Sequence, residues 1–545
     1  MLEKGWDGVK MSNENNKSFV GGAAVLAVVG LIGKVIGMFY RVWLTNLISS
    51  EGMSLYGMPY SVYSFLLVIS SAGLPTAISK MVSERLTNGD RAGAKWIQKK
   101  TQRILLCTGL VTTVLMAALA RPIATMMGDP AAAPGFVALA PAIFFLCLIS
   151  SYRGYFQGAQ NMNPTAASQL IETVGKVVFG YALVRVLAPY GLVWGAVGAI
   201  LGVTIAELCA LAFIWARYLV ENRRRPVESA GPAQPIEHFY KKLFAIAIPV
   251  TIGSSMMSIV GLVDGSLVVN RLTDIGYAIE NAREMYGVLT GMVNTMVNMP
   301  AVITLSFSMS LVPAVSAALA RRDSEGMHHI VSTALKLALM IGSAAAVGMG
   351  LLSHQILRLL YASQPENCLN IGGDLLAVMA VGIFFLALVQ TTTGMLQGLG
   401  KPGYPVRTMA VGIVAKIILN YALIGIPQLN VLGAAVATVT CYGIAALGNV
   451  AMVLKLTGTR LRFADAVGRP ALAAGGMALA VWGFVRLMSD RLGNALLTLG
   501  AVALGVVIYA LLAFALRALS REDLKMIPGG RMLMRLMDKV GGKKA

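Results

Sequence analysis

Runs of about twenty apolar residues recur along nearly the whole of this chain, each long enough to cross a bilayer as a helix. Hydrocarbon offers the backbone no water to bond with, so only α-helices and closed β-barrels can span it. A barrel would need short segments of alternating polarity, and these runs are continuous. Fourteen spans follow, near residues 19–48, 56–82, 104–120, 134–156, 165–187, 190–216, 243–270, 285–315, 330–352, 371–396, 404–425, 431–454, 470–488 and 494–516. Only 13% of residues are charged, about half the fraction of a soluble chain. The expected fold class is an all-α polytopic membrane protein.

The net charge of +20 would suit a nucleic-acid partner, but its distribution excludes that reading. With the N-terminus inside, 33 of the 45 lysines and arginines fall in cytoplasmic segments, Arg153 among them, and seven fall outside. This asymmetry is the positive-inside rule and places both termini in the cytoplasm of a cell-membrane protein. The first apolar segment is too long for a cleavable signal and lacks a small-residue cleavage site. Cys107, Cys147, Cys209 and Cys441 lie inside spans and only Cys368 falls near a loop, so no disulfide framework is expected. No Cys-x-x-Cys pair occurs, and the adjacent His328 and His329 point to different helix faces in a charged loop. Neither a metal nor a cofactor is expected.

The long hydrophilic stretch ENRRRPVESAGPAQPIEHFY, residues 221–240, marks a linker between two halves that resemble each other. Residues 153–184 align without gaps with 393–424, sharing Gly154/Gly394, Gln157/Gln397, Gly158/Gly398, Lys176/Lys416 and a Tyr-Ala-Leu. A weaker match pairs VSERLTNGD (82–90) with VSAALARRD (315–323). Six helices separate equivalent positions, so the repeats insert in the same orientation, as in alternating-access transporters with a site between lobes. The organisation expected is a cytoplasmic segment at 1–18, an N-lobe of helices 1–6 at 19–217, a linker at 218–242 and a C-lobe of helices 7–12 at 243–456. Helices 13 and 14 occupy 469–518, and a basic tail fills 519–545. Within the tail, RMLMRLMDKV (531–540) has one apolar and one cationic face, the pattern of a helix lying on anionic lipid.

Five cations remain within the spans: Lys34, Arg41, Lys176, Lys336 and Lys416. Lys34 sits near the middle of the first span, in GLIGKVIGMFYR (30–41), where a cation costs about 3 kcal/mol on insertion scales. Arg41 lies seven residues on, near the same helix side, and alternatively snorkels to the outer surface. Gly30, Gly33 and Gly37 thin the helix for close packing or a cavity wall. Lys176 has Glu172 four positions before it, so an intrahelical structural pair competes with a ligand role. Lys416, its repeat mate, has Gly412 there and is the better ligand candidate; Lys336, near a span end, snorkels inward. The buried acids are Glu172, Glu207 and Asp264, with Asp374 nearer an outer end. Cations outnumber acids at depth, which implies an anionic passenger bearing phosphate. The candidate substrate-binding residues are therefore Lys34, Arg41, Lys416 and Lys176. Asp264 and Glu172 are the candidates for binding a coupling ion or serving as counter-ions.

No Walker motif, phosphate loop or nucleophilic triad appears, so an enzyme is not expected. The phrases GLIGKVIGMFYR, GLPTAISKMVSERLTNGD (73–90), RGYFQGAQNMNPTAASQLIE (153–172), MVNMPAVITLSFSMSLVPAVS (296–316) and LKMIPGGRML resemble the stage V sporulation protein B branch of polysaccharide transporters. That branch belongs to the multidrug/oligosaccharidyl-lipid/polysaccharide (MOP) exporter superfamily and is related to lipid II flippases. The resemblance covers nearly the whole chain. It implies two pseudo-symmetric six-helix lobes and a final helix pair, fourteen transmembrane helices in all. It also implies flipping of an undecaprenyl-diphosphate-linked oligosaccharide such as a peptidoglycan precursor. Lys34 matches a cavity-lining basic position of the family, Arg41 stands one place from a second, and Lys176 matches a commonly basic one. The family's eighth-helix arginine aligns near Thr295, before Pro300, and is missing here.

The partners expected are the lipid-linked anionic glycan, membrane lipids and cell-wall synthesis proteins, with the chain itself a monomer. Two other readings stand beside this one. A cation-coupled multidrug antiporter would bring acidic cavity residues and twelve spans; a non-transporting cell-wall scaffold would tolerate loss of Lys34. The topology yields a direct test: single cysteines at positions 230 and 428 should label from opposite sides of the membrane, and labelling from the same side would overturn the charge count.

Overall fold

A computed structural model of the chain describes residues 4–71, 73–224, 237–460 and 464–516. Residues 225–236 of the expected linker and the whole 519–545 tail, with its amphipathic 531–540 stretch, lie outside the described residues. All regular structure described is helical, with no strand, as a lipid-immersed backbone requires. Among the described residues, twelve helical stretches are long and apolar enough to cross a membrane. Two features separate that number from fourteen. The first stretch, Val28–Thr87, is 60 residues long, about 90 Å if straight and three times the bilayer core. Its helical course breaks at Ser49, where φ is 65° and ψ 171°. The other is Asn163–Leu187, where Glu172, Lys176 and Arg185 dilute the apolar run.

The chain forms two compact units, Met1–Gly291 and Met292–Ala545. In the first, α1 (Lys4–Ser71) is followed by α2 (Leu74–Thr87), α3 (Arg91–Ala118), the short α4 (Ala120–Met126) and α5 (Ala133–Gly158). Next come α6 (Asn163–Leu187) and α7 (Leu192–Arg224). They pack backbone to backbone: a Cβ on Gly202 would stand 2.4 Å from Gly180 Cα, and one on Gly175 would stand 2.9 Å from Ala206 Cβ. Small residues at such contacts are what bring membrane helices together. The unit closes with α8 (Phe239–Asp274) and α9 (Ile279–Gly287), which pack on α1. These two helices begin the expected 243–456 lobe, yet here they sit within the first unit. Arg283 of α9 forks onto Asp129, ahead of α5, at 2.7 and 3.0 Å. A Cβ on Gly287 would collide with Ser50 O.

The second unit begins inside a π-helical turn, Val288–Val293, that runs into α10 (Asn294–Arg321). It continues through α11 (Ser324–Leu351), α12 (Ser353–Leu360), α13 (Glu366–Gly398), α14 (Gly403–Ile424) and α15 (Leu432–Thr457). Last are α16 (Arg469–Met488) and α17 (Asn494–Ala515). Leu352, Met477, Val481 and Ala501 form a buried cluster that fixes this final pair, and Tyr509 donates to Met340 O at 2.8 Å.

The repeat is visible in the turns. The α5–α6 turn bonds Gln160 N to Gln157 O and Asn161 N to Phe156 O; the α13–α14 turn repeats this with Gly400 to Gln397 and Lys401 to Leu396. Both are Schellman endings that need a left-handed residue, Gln160 at φ 56° and Gly400 at φ 71°. The weaker match works the same way. Asp90 accepts from Gly93 N to cap α3, and Asp323 accepts from Gly326 N to cap α11. The shared glycines are contact points. A Cβ on Gly158 would meet Ser79 O of α2 at 2.6 Å, and one on Gly398 would meet Val312 O of α10 at 2.8 Å. Because α6 and α7 touch through backbone, Gly202→Leu should destabilise the protein by about 1–3 kcal/mol, the range for overpacking a close contact. A thermal melt of the detergent-solubilised variant measures it, and an unchanged melting temperature would contradict the packing described.

Candidate functional site

Four ionisable side chains meet in the interior of the first unit. Lys176 of α6 reaches Glu172 one turn earlier at 2.6 Å and Glu207 of α7 at 3.0 Å. Arg153, from α5, contacts the other Glu172 oxygen at 3.0 Å and donates to Ser168 Oγ at 3.0 Å. Glu207 is fully buried, and the other three side chains are 13–20% exposed. Lys176 can span two helices because Gly175 and Ala206, their immediate neighbours, let the backbones approach. Tyr60 and Tyr63 of α1 lie within electrostatic range of Lys176. Two carboxyl groups face two basic side chains, each engaged by another, an arrangement that ties α5, α6 and α7 together.

Lys34 is placed differently. Its side chain is exposed on the surface of the first unit, next to Gly33, whose Cβ would touch Thr173 of α6 at 3.1 Å. Of the five cations within the expected spans, Lys34 alone makes no hydrogen bond, ion pair or ring contact with the described residues. Arg41, two turns along, is half-buried with its guanidinium 5.7 Å from the Tyr60 ring centroid, a cation–π distance. It is held inside the unit, where the sequence allowed it to snorkel outward. Asp264 is buried on α8, and the buried Tyr286 lies within electrostatic range of both Asp264 and Arg41.

The fourth expected ligand, Lys416, is fully buried in the second unit and donates to Thr438 Oγ1 at 2.9 Å. Its own helix offers it no carboxylate one turn earlier, as read from the sequence. The reason lies at Gly412, which occupies the repeat position of Glu172. A Cβ there would stand 2.6 Å from Cys441 O, so α15 packs where a carboxylate would have to go and offers a hydroxyl instead. Glu207 as a partner of Lys176, and Arg153 as a second partner of Glu172, are the contacts that sequence reasoning did not find. Arg153 was counted with the cytoplasmic residues. Yet it lies six residues before the α5–α6 turn and Glu172 ten residues after it, a depth difference of about 6 Å at 1.5 Å per residue, which an arginine side chain spans.

The family model described as "Polysaccharide biosynthesis protein" matches residues 19–319, and the model "MatE" matches residues 290–422. Stage V sporulation protein B of Bacillus subtilis (strain 168) is 26% identical over 531 residues, covering 95% of this chain and 99% of its own. A solved structure of the lipid II flippase MurJ in an inward closed conformation superposes with a TM-score of 0.67. It is 15% identical, covering 91% of this chain and 99% of that one. An inward-facing multidrug resistance MATE family transporter of the MOP superfamily also gives 0.67 at 17% identity, over 79% and 98%. Both likenesses establish a shared fold.

The charge cluster makes a sharp prediction about stability. Lys176→Gln removes the partner of the buried Glu207 and leaves Glu172 to Arg153 alone, and should cost about 3–5 kcal/mol, the loss typical when one partner of a buried pair is removed. Combining it with Glu207→Gln keeps the Arg153–Glu172 pair and should restore much of the folded protein. Membrane abundance and melting temperature of the single and double variants measure this; equal instability in both would mean the stranded acid is not what destabilises the single variant.

Proposed function

We propose that this chain, which belongs to the polysaccharide biosynthesis protein family, is a flippase for an anionic lipid-linked glycan. It moves an undecaprenyl-diphosphate-linked oligosaccharide to the outer leaflet by alternating access. The observation that carries the reading is Lys34: a cation at membrane depth, exposed and without a protein partner among the described residues. A charge there needs water or an anion facing it, and a diphosphate supplies the anion. Lys176 and Glu172 support that face from behind as an internally paired cluster, and Arg41 extends it toward Asp264, the acid we assign to a coupling cation or counter-ion. Lys416 serves the second unit from within.

The topology proposed with it has fourteen crossings. The Val28–Thr87 stretch counts twice because it breaks at Ser49, and α6 adds one more. The lobes are 19–217 and 243–456, followed by the pair at 469–518, with both termini cytoplasmic. The MatE match and the MATE fold keep a multidrug antiporter in view as the second reading. Against it stands the pairing of Glu172 and Glu207 with Lys176, which leaves them no surplus negative charge for a cationic drug.

Reconstituted protein should bind undecaprenyl-diphosphate glycans in preference to neutral glycolipids. Lys34→Ala should weaken that binding about ten- to a hundredfold, since a hydrogen bond to a charged group contributes about 1.5–3 kcal/mol. Flipping in liposomes should fall with it. A neutral analogue bound equally well, or full flipping by Lys34→Ala, would sink the proposal.

A further inference from the structure

At the basic end of the first unit lies a cavity of about 650 Å³, within the size range of small-molecule sites. It shares none of its lining with the buried charge cluster or with Lys34. Arg91 and Lys95, one turn apart on α3, supply two cations, and Glu221 at the end of α7 supplies one carboxylate, so the lining is net positive. Asn161, Asn163 and Asn222 add primary amides from the α5–α6 turn and from α7. Cations of this kind bind phosphate oxygens. Amides give and take hydrogen bonds with hydroxyls, and a carboxylate accepts them. The mixture suits a phosphate attached to a polyhydroxylated group, and suits neither a bare apolar molecule nor a cation.

The turn that frames the cavity carries the same signal. Gln160 holds a left-handed backbone at φ 56° and contributes to the lining, whereas the matching turn of the second repeat uses Gly400. Glycine adopts that conformation without steric strain; glutamine accepts the strain and gains an amide side chain beside the cavity.

We propose that this cavity is a binding site for the phosphate-bearing, hydroxylated headgroup of a lipid. The inference rests on the transport reading only for which lipid that is. Two sources share the chemistry, the diphosphate-sugar of the carried glycan and the phosphoglycerol head of phosphatidylglycerol, and the proposed topology puts Arg91 and Lys95 on the inner-leaflet side, where both are found.

The full chain in nanodiscs of zwitterionic lipid would be titrated with a short-chain prenyl-diphosphate N-acetylglucosamine, inorganic pyrophosphate, a short-chain phosphatidylglycerol and an uncharged methyl glycoside. Saturable binding of the diphosphate sugar or of phosphatidylglycerol is expected, the tighter of the two identifying the source, with the methyl glycoside bound at least tenfold more weakly. R91Q/K95Q should weaken that binding and pyrophosphate binding about tenfold. N161A/N163A should weaken the lipid headgroup but leave pyrophosphate unchanged. If the first double variant fails to fold, Lys95→Gln, checked by its melting temperature, carries the same test with a smaller loss. Unchanged affinities in both double variants, or a methyl glycoside bound as tightly, would overturn the site. Flipping assayed on the same preparation separates the two proposals. Charge-dependent binding without flipping of any lipid-linked glycan defeats the transport reading and supports the cavity; wild-type flipping with unaltered binding in R91Q/K95Q defeats the cavity.

Discussion

A charge carried into a hydrocarbon solvent must bring its counter-charge along or keep a route to water, and the first unit is organised round that requirement. Lys176 is where the requirement is met most fully: it bridges carboxylates on two helices while Arg153 engages one of them from a third. The close approach of α6 and α7 and the ion pair depend on each other. Without glycine and alanine at 175 and 206 the backbones could not come near enough for Lys176 to reach Glu207. Without Lys176, Glu207 would be an uncompensated charge in a fully buried site. Packing and electrostatics are here one constraint.

The second repeat surrounds its lysine with different chemistry. Lys416 keeps the lysine but donates to the hydroxyl of Thr438 on α15, because α15 has closed over Gly412. Buried lysines in both units thus make contacts within the protein itself. What remains is Lys34, on a helix flank beside Thr173, and that remainder is what turns a description of stability into one of function.

Much of this was legible in the residues. The i,i+4 spacing of Glu172 and Lys176 gave their pairing directly, since helix geometry alone brings those positions together. The repeat could be aligned because Gly154, Gly158, Gly394 and Gly398 are contact points where no side chain fits, and because Asp90 and Asp323 each cap a helix. Glu207 and Arg153 were harder, being brought to Lys176 only by the way α5, α6 and α7 fold together. At Lys416 the sequence shows that the carboxylate is missing, but not that a neighbouring backbone fills its place. The break at Ser49 does have a local signature, for its Oγ accepts from Gly52 N at 3.4 Å, the N-cap geometry of a new helix start.

The passage from one unit to the other falls within the π-helical turn Val288–Val293. Such a turn carries one residue more than an α-helical turn and closes its bonds five residues apart. That extra residue sets the phase of everything after it. Each residue of an α-helix advances the side chains by about 100°, so the face of α10 that bears Thr304, Phe307 and Leu311 is aimed by a single insertion upstream. Ser308 and Ser316, which bond to backbone oxygens of α13, are aimed by it as well. A one-residue length change in this stretch is therefore not a matter of loop length: it re-indexes the whole of α10 against the α13 oxygens it bonds.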